Sequence, residues 1–258
     1  MHNEAKALLL TCHRPLFITG AGLSADSGLP TYRDVGGLYE NQNTDEGFPI
    51  ELALSRTMFE SRPDISWKYL WQIFEAIRKA RPNHGHEILA DIEHHKPGAW
   101  ILTQNIDGYH RAAGSRNLIE LHGRHDLLTC TQCDHTPDCN ALLQSLGDST
   151  PDFPLICEQC SGVLRPAVVL FGEKLPEPAI RQLNDVLCRH SPDLVMLIGT
   201  TGRFPYIEMP VHLARTRGIR TIEINPAETD LSCQIDLHLR GRAAETLASL
   251  WLDETPHS

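Results

Sequence analysis

The sequence predicts an α/β fold in which a doubly wound parallel sheet carries a smaller, split domain, and three observations support this. Short apolar runs at 16–19, 100–103, 194–198 and 221–224 alternate with segments of helical spacing, as parallel strands covered on both faces require. The first run feeds straight into a glycine-rich turn that begins at Gly20. Between 124 and 162 the alternation stops, and a polar, turn-rich stretch holds the pairs Cys130-x-x-Cys133 and Cys157-x-x-Cys160.

In chain order, Ala5, Leu8, Leu9 and Cys12 recur at helical spacing over 3–12, ahead of the strand at 16–19. After the glycine turn, 34–48 contains Gly36, Gly37 and Gly47 without a clear period and reads as a mobile flap over the site. Residues 50–81 read as helical, and Trp67, Tyr69, Leu70, Trp71, Ile73, Phe74 and Ile77 demand burial on two sides. A third helix follows over 82–95, then strands at 100–103 and 118–121. Sheet signals return at 168–171, 194–198, 221–224 and 235–239, separated by helical patterns at 178–189 and 207–217, and a last helix covers 241–252. The main domain is assigned to 1–35, 82–123 and 166–258, and the small domain to 36–81 and 124–165.

The 258 residues are 41% hydrophobic, enough for one large core carrying a smaller one. With 23 basic and 33 acidic residues the formal charge is −10, which argues against nucleic acid or an anionic membrane as a partner. The N-terminus mixes both charge signs, unlike a signal peptide, and no run approaches the roughly eighteen apolar residues of a membrane span. A cytoplasmic protein, monomeric or weakly oligomeric, is expected.

The two cysteine pairs, with 23 residues between them, suit a tetrahedral four-thiolate zinc site in which each pair chelates one side of the ion from a tight knuckle. Cys130, Cys133, Cys157 and Cys160 fill all four positions, so this zinc is structural, and Cys139, His125 and His135 are expected to be bystanders. The segment between the pairs has little apolar content, and metal binding supplies most of its folding energy.

Glycines and small residues from Gly20 to Gly28 leave backbone N–H groups open to a pyrophosphate at the start of a helix. The usual dinucleotide fingerprint closes three positions after its second glycine, whereas Gly28 comes six after Gly22, and no Gly-Lys-Ser/Thr follows. On the glycines alone, a tight turn without a ligand stays open.

The turn keeps company with Thr103-Gln-Asn-Ile-Asp-Gly108, Glu120-Leu-His122-Gly123, the two cysteine pairs, Arg165-Pro-Ala-Val-Val-Leu-Phe-Gly-Glu173, Gly199-Thr-Thr201 and Asn225. Together these blocks resemble the sirtuin family, in the family's order and over nearly the whole chain. The resemblance implies a Rossmann-like main domain and a small domain made of a helical module and a zinc-ribbon module. It also implies NAD-dependent protein-lysine deacylation, with deacetylation foremost. In that reaction NAD is cleaved between nicotinamide and ribose, and the acyl-lysine oxygen attacks the anomeric carbon. Nicotinamide, deacylated lysine and O-acyl-ADP-ribose are the products. Under this resemblance His122 is the base on a ribose hydroxyl, a role that suits an imidazole titrating near working pH. Asn105 holds a ribose hydroxyl or an ordered water, and Asp107 with Ile106 binds the nicotinamide carboxamide. Gly20, Ala21, Gly22, Ser24, Ala25, Thr31, Tyr32, Arg33, Gln104, Gly199, Thr200, Thr201, Asn225 and Ala243 surround NAD. Val169, Leu170, Phe171, Gly172 and Glu173, with His122, receive the acyl-lysine peptide by strand addition.

Three features depart from the family pattern. The stretch Gly199-Thr-Thr-Gly-Arg-Phe-Pro-Tyr206 replaces a Gly-Thr-Ser with a valine-rich stretch and Pro-Ala, and is shorter. Leu70 and Ile73 stand where the subgroup that removes succinyl and malonyl groups has tyrosine and arginine, so acetyl or longer fatty acyl groups are favoured. Tyr109 replaces a usual leucine, a change expected to affect packing only. The competing readings are a protein mono-ADP-ribosyltransferase, a non-catalytic NAD-sensing reader and a hydride-transferring dehydrogenase, the last disfavoured by the imperfect fingerprint.

Overall fold

The computed structural model describes residues 1–29, 44–139, 141–142 and 149–251. Its strands are β1 (Pro15–Thr19), β2 (Trp100–Thr103), β3 (Leu118–Glu120), β4 (Gly123–Cys130), β5 (Leu164–Val168), β6 (Leu194–Ile198), β7 (Arg220–Ile224) and β8 (Leu237–Leu239). Six of them form one parallel sheet in the order β3-β2-β1-β6-β7-β8, and β4 pairs antiparallel with β5 in a separate two-stranded sheet. Counted within the large sheet, this is the 3-2-1-4-5-6 order of the doubly wound dinucleotide fold.

All of β1 is buried, and its side chains alternate between two cores. Phe17 joins Leu9, Leu89, Ile92 and Leu247 beneath the helices His2–Thr11, His84–His95 and Ala243–Trp251, while Leu16 and Ile18 join Leu183, Leu197 and Val211 beneath Glu177–Asp185 and Pro205–Thr216. Each such side chain, fully buried, contributes about 1.5–3 kcal/mol. No helix among the described residues is long and apolar enough to cross a membrane.

The chain reverses its winding between β1 and β6, and their C-terminal ends meet through glycines. The Gly20 N–H donates to the Ile198 carbonyl (3.1 Å) and the Gly22 N–H to the Gly199 carbonyl (2.8 Å). A Cβ on Gly20 would lie 2.7 Å from the Gly199 oxygen, and one on Gly22 would lie 2.7 Å from the Gly199 Cα. Gly199 itself has φ +58° and would place a Cβ 2.5 Å from the Leu23 nitrogen. The N–H groups of Gly20 and Gly22, read above as open to phosphate, are thus committed to the neighbouring strand end.

The region 50–81 is not one continuous helix. It breaks into Ile50–Ala53, Arg56–Ser61 and Pro63–Lys79, because the Ser55 side chain caps the second segment at the Met58 N–H (3.2 Å) and Pro63, lacking an N–H, opens the third. The first break frees backbone for pairing. Phe171 donates its N–H to the Leu54 carbonyl (3.0 Å) and accepts the Arg56 N–H (2.9 Å). Trp67, Leu70, Trp71, Ile73, Phe74 and Ile77 are all buried in a third core shared with Leu128, Leu155 and Leu164, where Trp67 Nε1 donates to the Leu164 carbonyl (2.7 Å). The flap read at 34–48 lies outside the described residues as far as 43. Its remainder is a turn closed from Thr44 N–H to Phe48 carbonyl (2.7 Å) and tied to Lys68 through Asp45 (2.7 Å) and Glu46 (2.8 Å).

The strand expected at 168–171 is also shifted. β5 ends at Val168 and belongs to the small sheet. From within β5, Arg165 grips Glu173 through two bonds of 2.7 and 3.0 Å, and Glu173 accepts the Leu170 N–H (2.9 Å). Past Val168 the regular ladder gives way to a single parallel bridge between Phe171 and Ser55. The helical pattern at 178–189 likewise changes character after Asp185, ending in a wider turn over Val186–His190.

Beyond β4 and ahead of β5, two knuckles bring four thiols together. Cys130 and Cys160 sulfurs lie 3.4 Å apart, those of Cys133 and Cys157 3.8 Å, and all four fall within 4.8 Å of one another. Zinc bonded to four sulfurs at about 2.3 Å needs sulfur spacings of about 3.8 Å, so the set fits a closed, structural zinc site. Of the expected bystanders, His125 Nδ1 is bonded to the Ile106 carbonyl (2.8 Å), Cys139 is buried in the third core, its thiol pushed up to about 11 by that burial, and the His135 carbonyl accepts the Cys130 N–H (2.9 Å).

Under the strand ends lies a buried polar layer. Thr19 Oγ1 bonds Thr103 Oγ1 and His110 Nε2, both at 2.9 Å, and the His110 ring meets that of His86 at 4.9 Å between centroids. Burial drives His86 down to about 4 despite the opposing charge of Asp107, and holds His110 well below its ordinary value.

Three outcomes follow from this architecture. Gly22→Ala should lower stability by about 3 kcal/mol, a fall of roughly 6–12 °C in thermal midpoint for a chain of this size. The purified protein should carry one zinc per chain by elemental analysis, and its chelation should abolish amide-exchange protection across β4 and β5 while the large sheet keeps its own. The native state refuses protons on His86 and His110 that the unfolded chain accepts near pH 6.5. Stability is therefore full above that pH and is lost as pH falls towards 4. Urea unfolding at pH 7.5 and 5.0 measures this.

Candidate active site

In an open doubly wound sheet the crevice lies at the carboxyl ends of the strands where the winding reverses. Here that crevice opens into a cavity of about 630 Å³, bounded by the glycine turn, the segment after β2, His122, residues 168–173 and the loop after β6.

The segment after β2 is held by its own side chains. The Asn105 N–H donates to Thr103 Oγ1 (3.1 Å), and Asn105 Nδ2 donates to the Gly20 carbonyl and to Ser24 Oγ, both at 3.0 Å. Ser24 Oγ donates in turn to Asp107 Oδ2 (2.6 Å), and Asp107 Oδ1 accepts the Tyr109 N–H (2.9 Å) across Gly108, whose φ of +73° only a glycine adopts freely. Asp107 is therefore both a turn residue and a member of a hydrogen-bonded row, Asn105, Ser24, Asp107. Across the cavity, Gln104 Nε2 donates to Thr200 Oγ1 (2.7 Å), and Asn225 Nδ2 to the Thr200 carbonyl (3.2 Å).

His122 follows β3, and its carbonyl accepts the Val169 N–H (2.9 Å). Its ring is set between polar and aromatic partners. Nε2 lies 2.7 Å from the Tyr206 hydroxyl, and the Tyr206 ring stands at 89° to the imidazole. Burial lowers the His122 pKa below 6.5, with a bond to the Gln104 backbone working against it. At neutral pH the imidazole is an uncharged base facing the cavity.

The other half of the cavity is apolar. Leu70, Ile73 and Ile77 from one helix face Ile106, Val168 and Leu170. No cation stands at Leu70 or Ile73, consistent with the identity of those two residues in the sequence.

Among the residues singled out from sequence, Gly20, Ala21, Gly22, Ser24, Gln104, Asn105, Ile106, Asp107, Gly199, Thr200 and Thr201 line this cavity, as do His122 and 169–173. Asn225 reaches it only through Thr200, and Ala25 and Ala243 are not among its described lining residues; Ala243 is buried in the core beneath the last helix. Thr31, Tyr32 and Arg33 lie outside the described residues. Glu173 is less a free contact than a brace. Burial would raise its carboxyl, yet the Arg165 fork and the Leu170 N–H outweigh this and hold it below the ordinary range. The N–H groups of Val169, Leu170 and Phe171 are all engaged within the chain, and the carbonyls of Leu170 and Phe171 already accept from Glu173 and Arg56. Sequence reasoning missed Phe204 and Tyr206, stacked at 5.2 Å and 7° beside His122. The one signal was an aromatic pair flanking Pro205 in the shortened loop.

A model of the Sir2 family matches residues 20–204. The NAD-dependent protein deacylase 2 of Pseudomonas aeruginosa is 49% identical over 241 residues, covering 93% of this chain and 91% of its own. The NAD-dependent protein deacylase of Aquifex aeolicus is 35% identical over 235 residues, covering 91% and 92%. Among solved structures, a mutant Sir2 homologue in complex with ADP ribose has a TM-score of 0.82 at 33% identity, covering 97% and 95% of the two chains. A Sir2–p53 peptide–NAD+ structure has a TM-score of 0.81 at 28% identity, covering 98% of both. With the family match running from the glycine turn to the loop that carries Phe204, and with relatives alike along almost their whole length, this chain belongs to the Sir2 family.

Proposed function

We propose that this chain is an NAD-dependent protein-lysine deacylase, and that acyl-lysine proteins or peptides are its substrates. One observation carries the reading: a single cavity joins the uncharged imidazole of His122 and the row Asn105, Ser24, Asp107 to an apolar wall of Leu70, Ile73 and Ile77. The names of the relatives point to the same activity, as does a family member solved with both a peptide and NAD+.

NAD, when bound, would supply the acyl acceptor: with one water consumed to free the lysine, NAD and acyl-lysine would give nicotinamide, free lysine and O-acyl-ADP-ribose. The chain's own part is positioning and proton transfer. His122 takes a proton from a ribose hydroxyl at the ring nitrogen that faces the cavity, and its depressed pKa keeps it ready to do so. Asn105 orients a ribose hydroxyl or a water, and Asp107 with Ile106 binds the carboxamide. Ser24 ties these two residues together, so neither can turn alone. The apolar wall excludes water from the acyl group and offers an acidic acyl tail no counter-charge. The mono-ADP-ribosyltransferase reading becomes an outcome of the test, and a reader of NAD would have no use for a buried base.

Mass spectrometry of peptides bearing acetyl, long-chain acyl or succinyl lysine, incubated with protein and NAD, should show deacylated peptide with O-acyl-ADP-ribose for the first two and little for the third. A peptide heavier by ADP-ribose would assign the transferase reaction instead. His122→Ala should slow turnover by about 10²–10⁴-fold with zinc content unchanged. Because the neutral imidazole is the working form, the wild-type rate should be full above pH 6.5 and fall with a midpoint below it.

A further inference from the structure

We propose that Tyr206 is a positioning residue for His122 which occupies the imidazole in the free protein and competes with the NAD ribose for it. This rests on the assignment of His122 as the base given above. The Tyr206 hydroxyl is 2.7 Å from His122 Nε2. If the base nitrogen assigned above is Nε2, the phenol is the donor to it. A neutral imidazole nitrogen has one lone pair, in the plane of the ring. A ribose hydroxyl that surrenders its proton there needs the same lone pair, and the two donors cannot both hold it in good geometry.

The phenol is built in rather than incidental. Pro205 and Tyr206 open the helix Pro205–Thr216, and the Tyr206 ring is stacked on Phe204 at 5.2 Å with an interplanar angle of 7°. Both rings present themselves edge-on to His122, at 86° and 89°. Burial pushes the Tyr206 hydroxyl above its ordinary pKa, so it stays a donor throughout the working range. All three side chains line the same cavity as Gly199, Thr200 and Thr201, in the loop where this chain departs from the sirtuin pattern. As a donor to Nε2, Tyr206 favours the tautomer that the chemistry needs. The consequence is that a nucleotide must displace it.

Calorimetric titration with NAD on wild type, Tyr206→Phe, His122→Ala and the double variant tests this. Tyr206→Phe keeps the stack and loses only the hydroxyl, so NAD should bind about five-fold more tightly, the worth of one net hydrogen bond. In the His122→Ala background the same substitution should change nothing, because the competition has lost its object. The ¹⁵N resonance of His122 Nε2 should also shift in Tyr206→Phe as an accepted hydrogen bond disappears. Unchanged or weaker NAD binding by Tyr206→Phe overturns the inference, as does tightening that persists without the imidazole. If wild-type protein binds no NAD at millimolar concentration, the functional reading falls as well. If it binds NAD and deacylates peptide but ignores the Tyr206 change, this inference alone falls.

Discussion

Everything in this structure depends on a backbone contact that leaves no room for side chains. At the point where the sheet changes its direction of winding, the turn after β1 and the turn after β6 touch through Gly20, Gly22 and Gly199. Two hydrogen bonds seal the contact. It brings Ser24 and Thr200, which lie far apart in sequence, to opposite sides of one cavity. The residues after β2 then close the cavity floor by bonding to both sides: Asn105 to Gly20 and Ser24, Gln104 to Thr200. The site is a by-product of how closely two strand ends can approach.

The polar groups of the site are held in rows, not as isolated side chains. Asp107 is capped on both oxygens, by Ser24 and by the Tyr109 N–H. Thr103 links the row to the buried histidine layer through Thr19 and His110. In a low-dielectric setting such rows act as units, and changing one member shifts its neighbours.

Much of this was legible in the sequence, and the physical reason is burial. A strand such as β6, covered on both faces, must be apolar at every position, so it announces itself. The cysteine spacing was equally plain because a metal dictates it. What the sequence hid depends on distant partners. The apolar alternation at 168–171 is real, but the Arg165 and Glu173 pair clasps the chain there, and nothing local shows that these two residues meet. The breaks in 50–81 carried their own signals, Ser55 and Pro63, which the density of aromatic residues obscured. The motifs identified Asn105, Asp107 and His122 as a group, but the Ser24 link and the Tyr206 hydroxyl join residues more than eighty positions apart. They emerge only from the fold.

The four tryptophans divide evenly between the two parts of the molecule. Trp67 and Trp71 are packed around Phe153, close to the thiolate knuckles, with Trp67 bonded to the first residue of β5. Trp100 and Trp251 belong to the large sheet and its last helix. The protein thus carries its own optical reporters, one pair for each half. Their emission colours and quencher access can separate an event confined to the cysteine-bearing part from one that spreads through the whole chain, without any label being attached.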